Sequence, residues 1–414
     1  GRPPVRHNAQ GDAATSARAL FALAFLHHQR PFECKQMPCE QRQTTHSTEH
    51  AHAHAHARRQ CRTPPEGRSR RAPEPKRRRT RPRAATHGGA MKAVVFGAGG
   101  AVGRGVVRQL SAAGDAVVAV SRSGKIAALA GLPGVEFAKA DCGAADQVAA
   151  AAKGAEVIFC CVGLTAYNAD VWEAQWPPIV QALLAAAKQN DAGLVFCDNL
   201  YMYGPEAKMP LASTDEAFTS YGRKPKLRAQ LDRAMLEAHR SGNAKVALVR
   251  APDFFGPAAD GHIGSYIVPY LIRGSRMGLM IAKTNNKHSY AYVPDVSTAM
   301  IAVARDPSSW GRAWHVPCLP AETTHEILQR MWTKSGNKGK VKYMSFTGLM
   351  RRATDPFVRM MREMTEMSYT FNSDYIVASD DFSAKFPDVE LPTPMDKAVE
   401  DTLTYFKEKT AAKK

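Results

Sequence analysis

No stretch of this 414-residue chain approaches the ~18–20 apolar residues of a membrane-spanning helix. The eight cysteines form no Cys-x-x-Cys pair, which removes the usual spacing of a zinc site and sets the expectation of no metal. Cys160, Cys161 and Cys197 fall in apolar runs and read as buried free thiols of a reducing compartment. Acidic residues are scarce at one end. Residues 1–90 hold 18 of the 56 Lys and Arg but 6 of the 38 Asp and Glu. Two-thirds of the net charge of +18 therefore sits in that leader. The remainder is mildly basic, so charge makes nucleic acid an unlikely partner.

The leader is poor in apolar residues and rich in Arg, Pro, His and Gln, a composition that predicts disorder. Its "HAHAHAHA" (50–57) is low-complexity sequence, and "PKRRRTRPR" (75–83) reads as a solvated charge run. Met91 begins "MKAVVFGAGG", where strand pattern starts at once, so it is expected to be the native start, with a cytoplasmic location. The alternative is a transit segment for a plastid or mitochondrion, because the leader is Arg-rich and acid-poor.

From residue 91 short apolar runs alternate with helical segments. Strands are predicted at 92–96, 116–120, 135–141, 155–163, 194–199 and 245–252, with Ala- and Leu-rich helices such as 176–190 between them. This pattern predicts an α/β fold, a Rossmann doubly wound parallel sheet over 91–252. A smaller C-terminal substrate lobe with returning Rossmann elements is expected over 253–414. Phe357, Met360, Met361, Met364 and Met367 recur at spacings of three and four, one apolar helix face.

"FGAGGAVGRG" follows the first strand and opens the first helix. Gly97 permits the turn, Gly99 or Gly100 lets the backbone approach a pyrophosphate, and Gly103 lets the helix pack close to the sheet. Together with Ala101 and Val102 they form a dinucleotide cradle at a helix N-terminus. NAD sites place an acid after the second strand. Here stand Ser121, Arg122 and Ser123, and an arginine beside hydroxyls suits a 2′-phosphate. NADP is the expected cofactor, with NAD the alternative. Asp141, closing the third strand, is assigned to the adenine edge or to capping the next helix.

These motifs in series resemble the short-chain dehydrogenase/reductase superfamily, in its extended or atypical NAD-dependent epimerase/dehydratase branch. The resemblance runs over about 91–408. It includes Cys161-Val162-Gly163 where strand four meets the cofactor, "DNLYMYGP" (198–205), "RAPDFFGP" (250–257), "YVPDV" (292–296) and the last helix in "PTPMDKAVEDTLTYFKE". It implies hydride transfer between a nicotinamide and a carbonyl or hydroxyl carbon of a small molecule, and a possible homodimer. It also puts Asn199 where the family polarises the substrate oxygen, and Asp253 in place of an asparagine. Asp253, Phe254, His288 and Tyr290 are the expected substrate contacts.

The family's Tyr-x-x-x-Lys is missing from its place. Tyr221 stands there, but the fourth position is Pro225, which fits only a helix's first turn. The helix is therefore expected to begin near Pro225. Tyr221, a candidate proton donor, falls in the entering loop, Lys224 reaches for the cofactor ribose from the helix entrance, and Lys226 and Arg228 form a solvated or phosphate-facing set. Tyr201 is the alternative proton donor beside Asn199, and Tyr203 is expected to pack beneath the site. The departure also supports a second reading, a protein that binds NADP(H) without turnover, as a redox sensor or scaffold.

Overall fold

The computed structural model describes residues 90–412 apart from Thr165 and residues 215–217, 260–262, 275–277, 281–283 and 346–358. The leader, Phe357 of the apolar helix face and the charge run at 75–83 lie outside the described residues. Seven parallel strands form the central sheet: β1 (Lys92–Phe96), β2 (Ala116–Ser121), β3 (Val135–Lys139), β4 (Val157–Cys160), β5 (Gly193–Asp198), β6 (Lys245–Arg250) and β7 (Ala313–His315). Their order is β7-β6-β5-β4-β1-β2-β3, so the strand order changes direction between β1 and β4 while all strands stay parallel. A ligand crevice is expected above the carboxyl ends of the strands at such a switch point. The six predicted strands are all present. The seventh, only three residues long, is an addition from beyond residue 253.

Helices cover both faces. On one lie α1 (Ala101–Ala113) and α5 (Val293–Arg305). On the other lie α2 (Ala145–Ala151), α3 (Ala169–Asn190) and α4 (Lys224–Arg240). The first pair crosses closely. A Cβ on Gly105 would lie 2.2 Å from Ser297 Oγ, and that hydroxyl donates to the Val102 carbonyl at 3.0 Å. Helix α3 starts seven residues before the predicted Trp176 and carries Pro177 and Pro178 inside it. Asn168 caps it by accepting from Asp170 N–H at 2.8 Å, while Trp172 and Trp176 anchor its first turns in the core. Packing outweighs the proline penalty there. The smaller lobe builds its own core around α6 (Thr324–Lys334) and α8 (Met395–Ala411). The short α7 (Arg359–Glu366) reaches back to the Rossmann part.

Four charges are buried between α4 and the carboxyl ends of β5 and β6. Asp198, which ends β5, is ion-paired with Arg228 of α4 and lies 3.4 Å from the Arg250 guanidinium, which ends β6. Arg250 also pairs with Asp232 at 2.7 Å and donates to the Tyr203 hydroxyl at 2.8 Å. Tyr203 meets His315 Nε2 at 2.7 Å, and His315 Nδ1 faces the Ala378 carbonyl at 2.9 Å. A carbonyl can only accept, so the proton of neutral His315 sits on Nδ1 and Nε2 accepts from Tyr203. Arg228 is thus not solvated as expected. Its guanidinium lies 4.8 Å from the Trp176 ring centroid and 5.3 Å from that of Phe196. Lys226, by contrast, is exposed. Tyr203 packs beneath the site.

Burial pushes His315 down to about 4. As pH falls below about 6.5 the unfolded chain gains a proton here that the folded chain refuses. Stability is therefore lost between about pH 6.5 and about 4, by up to ~3 kcal/mol from this residue. Urea midpoints of wild type and His315→Gln across that range should show a steeper acid loss for wild type. Parallel curves would contradict it.

Candidate functional site

The glycine loop is shaped by two close approaches and one opening. Gly97 has φ +76°, and a Cβ there would lie 2.5 Å from the Cys161 carbonyl oxygen of the neighbouring strand end. A Cβ on Gly103 would lie 2.3 Å from the Gly97 carbonyl oxygen, so α1 could not seat on the loop. Gly99 differs: nothing lies within 4 Å of where its Cβ would be. The space that glycine leaves faces outward, before the uncapped N-terminus of α1, whose N-cap is Gly100. Ala101 and Val102 form the first turn of α1, Val102 buried. Cys161, Val162 and Gly163 continue from β4 beside the loop, with Cys161 N–H donating to the Phe96 carbonyl at 2.8 Å. Free N–H groups, a helix dipole and an open backbone surface fit a pyrophosphate.

At the end of β2, Ser121 and Ser123 hydroxyls lie 3.3 Å apart. Arg122 is exposed and forms no hydrogen bond or ion pair among the described residues. Asp141 caps no helix. It accepts from Gly143 N–H at 2.8 Å in the turn entering α2, whose N-cap is Ala144.

The carboxyl ends of β5 and β6 carry the polar groups. Asn199 directly follows Asp198, and its side-chain oxygen accepts from Tyr201 N–H at 3.0 Å. That turn leaves its NH2 without a hydrogen-bond partner among the described residues. The Tyr201 ring stacks on Trp172 with centroids 6.3 Å apart, and Tyr167 donates to the Tyr201 hydroxyl at 3.5 Å. Burial, then the Asp253 charge, push Tyr201 up to about 12. Burial and the Tyr201 neighbour also raise Tyr167. Both phenols hold their protons at neutral pH and suit donation. Asp253 is exposed beyond β6, and one of its oxygens lies 2.8 Å from Nε2 of the buried His288. Phe254 begins a two-residue strand paired with Ala291 and Tyr292, and packs against the core. Tyr290 departs from the expected substrate contact. It is buried in the lobe core with its hydroxyl 2.9 Å from Thr324 Oγ1, its ring 4.7 Å from that of His288.

Tyr221 and Lys224 are drawn elsewhere. Helix α4 starts at Lys224 with Pro225 in its first turn, so Tyr221 stands in the loop. Its hydroxyl donates to the Glu366 carbonyl at 3.1 Å, and its ring meets Tyr369 edge-on. The Lys224 ammonium is fully buried, 2.6 Å from a Glu363 oxygen, ion-paired with Glu366, and 5.0 Å from the Tyr167 ring centroid. In place of a cofactor ribose it meets two carboxylates of α7. The same carboxylates serve two helix starts. Glu363 accepts from Ala169 N–H of α3 at 3.1 Å, and Glu366 accepts from Arg223 and Lys224 N–H at the start of α4. Neither helix has an uncompensated positive end on this side. Sequence reasoning missed Tyr167, Glu363 and Glu366. For the glutamates the available signal was their spacing of three on a short amphipathic helix; for Tyr167, its place in the loop after β4.

The family model described as NAD dependent epimerase/dehydratase family matches residues 93–316. The chain belongs to the NAD-dependent epimerase/dehydratase family. No curated protein matches it by sequence. Among solved structures, an epimerase from Methanothermobacter thermautotrophicus superposes with a TM-score of 0.65 at 15% identity, covering 78% of this chain and 94% of that one. A UDP-glucose 4-epimerase from Thermotoga maritima, determined with UDP-glucose, gives 0.62 at 14% identity, covering 77% and 100%. The Bordetella bronchiseptica enzyme WbmH, determined with NAD+, gives 0.61 at 15%, covering 77% and 99%. These likenesses show the shared Rossmann-type fold. Among the described residues no helix is long and apolar enough to cross a membrane, and no three metal-ligating side chains cluster.

Gly99 separates packing from ligand contact. Gly99→Ala should leave the thermal midpoint within about 2 °C, because its Cβ meets nothing. It should weaken dinucleotide binding about tenfold or more, because the backbone surface for the pyrophosphate is lost. Calorimetric titration beside thermal unfolding checks both. Undiminished affinity would move the pyrophosphate off this loop.

Proposed function

We propose that this family member transfers hydride between a nicotinamide dinucleotide, NADP in preference to NAD, and a carbonyl or hydroxyl carbon of a small molecule. The observation that carries this reading is at the end of β5. Asn199 commits its oxygen to the Tyr201 N–H, which leaves its NH2 to donate, two residues before the buried Tyr201 phenol. A bound nicotinamide supplies the hydride donor or acceptor. The chain supplies the rest. Asn199 NH2 donates to the substrate oxygen and polarises its bond to carbon. The Tyr201 O–H, held in its protonated form, gives its proton to that oxygen as charge develops. Trp172, stacked on Tyr201, fixes the ring and keeps water from that side. Ser121, Ser123 and the unpaired Arg122 support the NADP preference, since no acid stands at the end of β2 to take a ribose 2′-hydroxyl.

A reductase releases the oxidised cofactor. An epimerase or dehydratase retains it and reverses the transfer, using the same two groups. One observation favours a second reading, a sensor that binds NADP(H) without turnover: the Lys224 ammonium is neutralised by Glu363 and Glu366.

The full chain titrated with NADPH and NADH, then assayed against a carbonyl panel by nicotinamide absorbance, separates the two. The enzyme reading predicts that Tyr201→Phe lowers turnover ~100-fold or more with NADPH affinity within about twofold, while Tyr221→Phe loses less than about threefold. It also predicts that Arg122→Ala weakens NADPH about tenfold and leaves NADH unchanged. Tight NADPH binding with no turnover anywhere on the panel supports the sensor.

A further inference from the structure

A buried histidine and a half-exposed carboxylate stand together at the end of β6. The Asp253 side chain is 43% exposed, His288 is 2% exposed, and Asp253 Oδ2 lies 2.8 Å from His288 Nε2. The other ring nitrogen, Nδ1, lies 3.1 Å from the Thr370 carbonyl oxygen. That carbonyl only accepts, so Nδ1 carries a proton. A neutral imidazole has a single N–H. Its Nε2 would then face the Asp253 oxygen with a lone pair against a lone pair. The pair is fully hydrogen-bonded only when it holds one proton more than a carboxylate and a neutral imidazole do between them. The ring is clamped for this, stacked on Phe371 with centroids 4.4 Å apart and 3° between planes, and flanked by Tyr375 and Tyr290. The groups facing it are the Asp253 carboxylate, the phenols of Tyr290 and Tyr375 and the Thr370 carbonyl. No lysine or arginine pairs with it among the described residues.

The sheet brings this pair to Tyr201. Asp198 of β5 stands in register with Arg250 of β6, and Ala251 N–H donates to the Asp198 carbonyl at 3.0 Å. Tyr201 and Asp253 each follow that registered pair by three residues, at the carboxyl ends of neighbouring strands. The charge of Asp253 is felt at both Tyr201 and Tyr167. The Lys224 ammonium is held by Glu363 and Glu366 and does not serve to steady a Tyr201 phenolate.

We propose that Asp253 and His288 form a proton-holding dyad that reprotonates Tyr201 after it has donated to the substrate. This rests on the reading of Tyr201 as donor. In the step, the Tyr201 O–H bond breaks and an O–H bond forms on the substrate oxygen, while the cofactor supplies the hydride. The dyad gives up its extra proton: the His288 Nε2–H bond breaks as an O–H bond forms at Asp253 Oδ2, and that O–H bond then breaks as the proton passes through solvent to the phenolate, leaving a carboxylate and a neutral imidazole. Solvent, which reaches the exposed carboxylate, restores the proton to the dyad. The net reaction takes one hydride from the cofactor and one proton from water. His288, which touches neither substrate nor cofactor in this scheme, is a positioning and storage residue.

Two readouts test this on the full chain. The first needs no substrate. With 15N-labelled histidine, the signals lost in His288→Gln belong to His288. Nδ1 should be protonated throughout pH 5.5–8.5. Asp253→Asn, which keeps shape and removes charge, should reduce the proton affinity of Nε2 about tenfold or more. A bare Nδ1, or an Nε2 titration unmoved by Asp253→Asn, would overturn the dyad. The second follows turnover of any carbonyl substrate found. Asp253→Asn should slow kcat about tenfold or more, enlarge the solvent deuterium effect and leave cofactor affinity unchanged. Wild-type kcat and isotope effect in that variant would overturn the relay. If Tyr201→Phe proves silent while the nitrogen signals behave as stated, the dyad stands and the donor assignment has failed.

Discussion

The site depends on the ion pair between Asp198 and Arg228 and on the second pair that completes it, Arg250 with Asp232. These four side chains are buried, and their formal charges are two positive and two negative. Burial and the neighbouring Asp198 charge push the Asp232 carboxyl well up, against the pull of the two arginines. Such a set is costly to desolvate and adds little net stability, but removing one member strands the others at roughly 3–5 kcal/mol. Its effect here is positional. One carboxylate ends β5, one guanidinium ends β6, and the other two charges belong to α4, so the three elements are tied at their site ends. Asn199 leaves the network on one side and Asp253 on the other, within a few residues.

In the proposed function this arrangement moves the chemistry from the helix to the strand ends. In the resemblance that the motifs suggest, a tyrosine and lysine one turn apart on a helix share the proton work. Pro225 prevents that here, because it can sit only in the first turn and so pushes Tyr221 into the loop. Lys224 becomes the first residue of α4, where α7 closes over it with two glutamates that also cap α3 and α4. A lysine so occupied holds α7 in place. Asn199, Tyr201 and Tyr167 remain as the donors of the proposed function, with Asp253 and His288 as its proposed proton store.

Much of the fold was legible in the residues. Short Val- and Ala-rich runs marked β1 to β6, since a strand covered on both faces needs no alternation. The glycine spacing marked the cradle because two of those glycines meet neighbouring backbone that excludes a Cβ. Strand β7 escaped because three residues carry no period. Arg228 was misread because charge alone suggested solvent. Its phase argued otherwise: Lys224, Leu227, Arg228, Leu231, Asp232 and Met235 share the buried face of α4, and Arg228 and Asp232 are four residues apart on it. For Glu363 and Glu366 the sequence offered only their spacing of three on one helix, and their partners lie about 140–190 residues away. Their role follows from how α7 docks.

In the proposed function proton chemistry belongs to the ends of β5 and β6 and not to the start of α4. A crystal structure of the full chain with NADPH tests it most directly. The account predicts the nicotinamide above the carboxyl ends of β4 and β5, with the Tyr201 hydroxyl within about one water-bridged hydrogen bond of the carbon that gives hydride. Tyr221 would still bond the Glu366 carbonyl, and Lys224 would still lie between Glu363 and Glu366. Displacement of α7, with Lys224 on the ribose and Tyr221 over the nicotinamide, would contradict it.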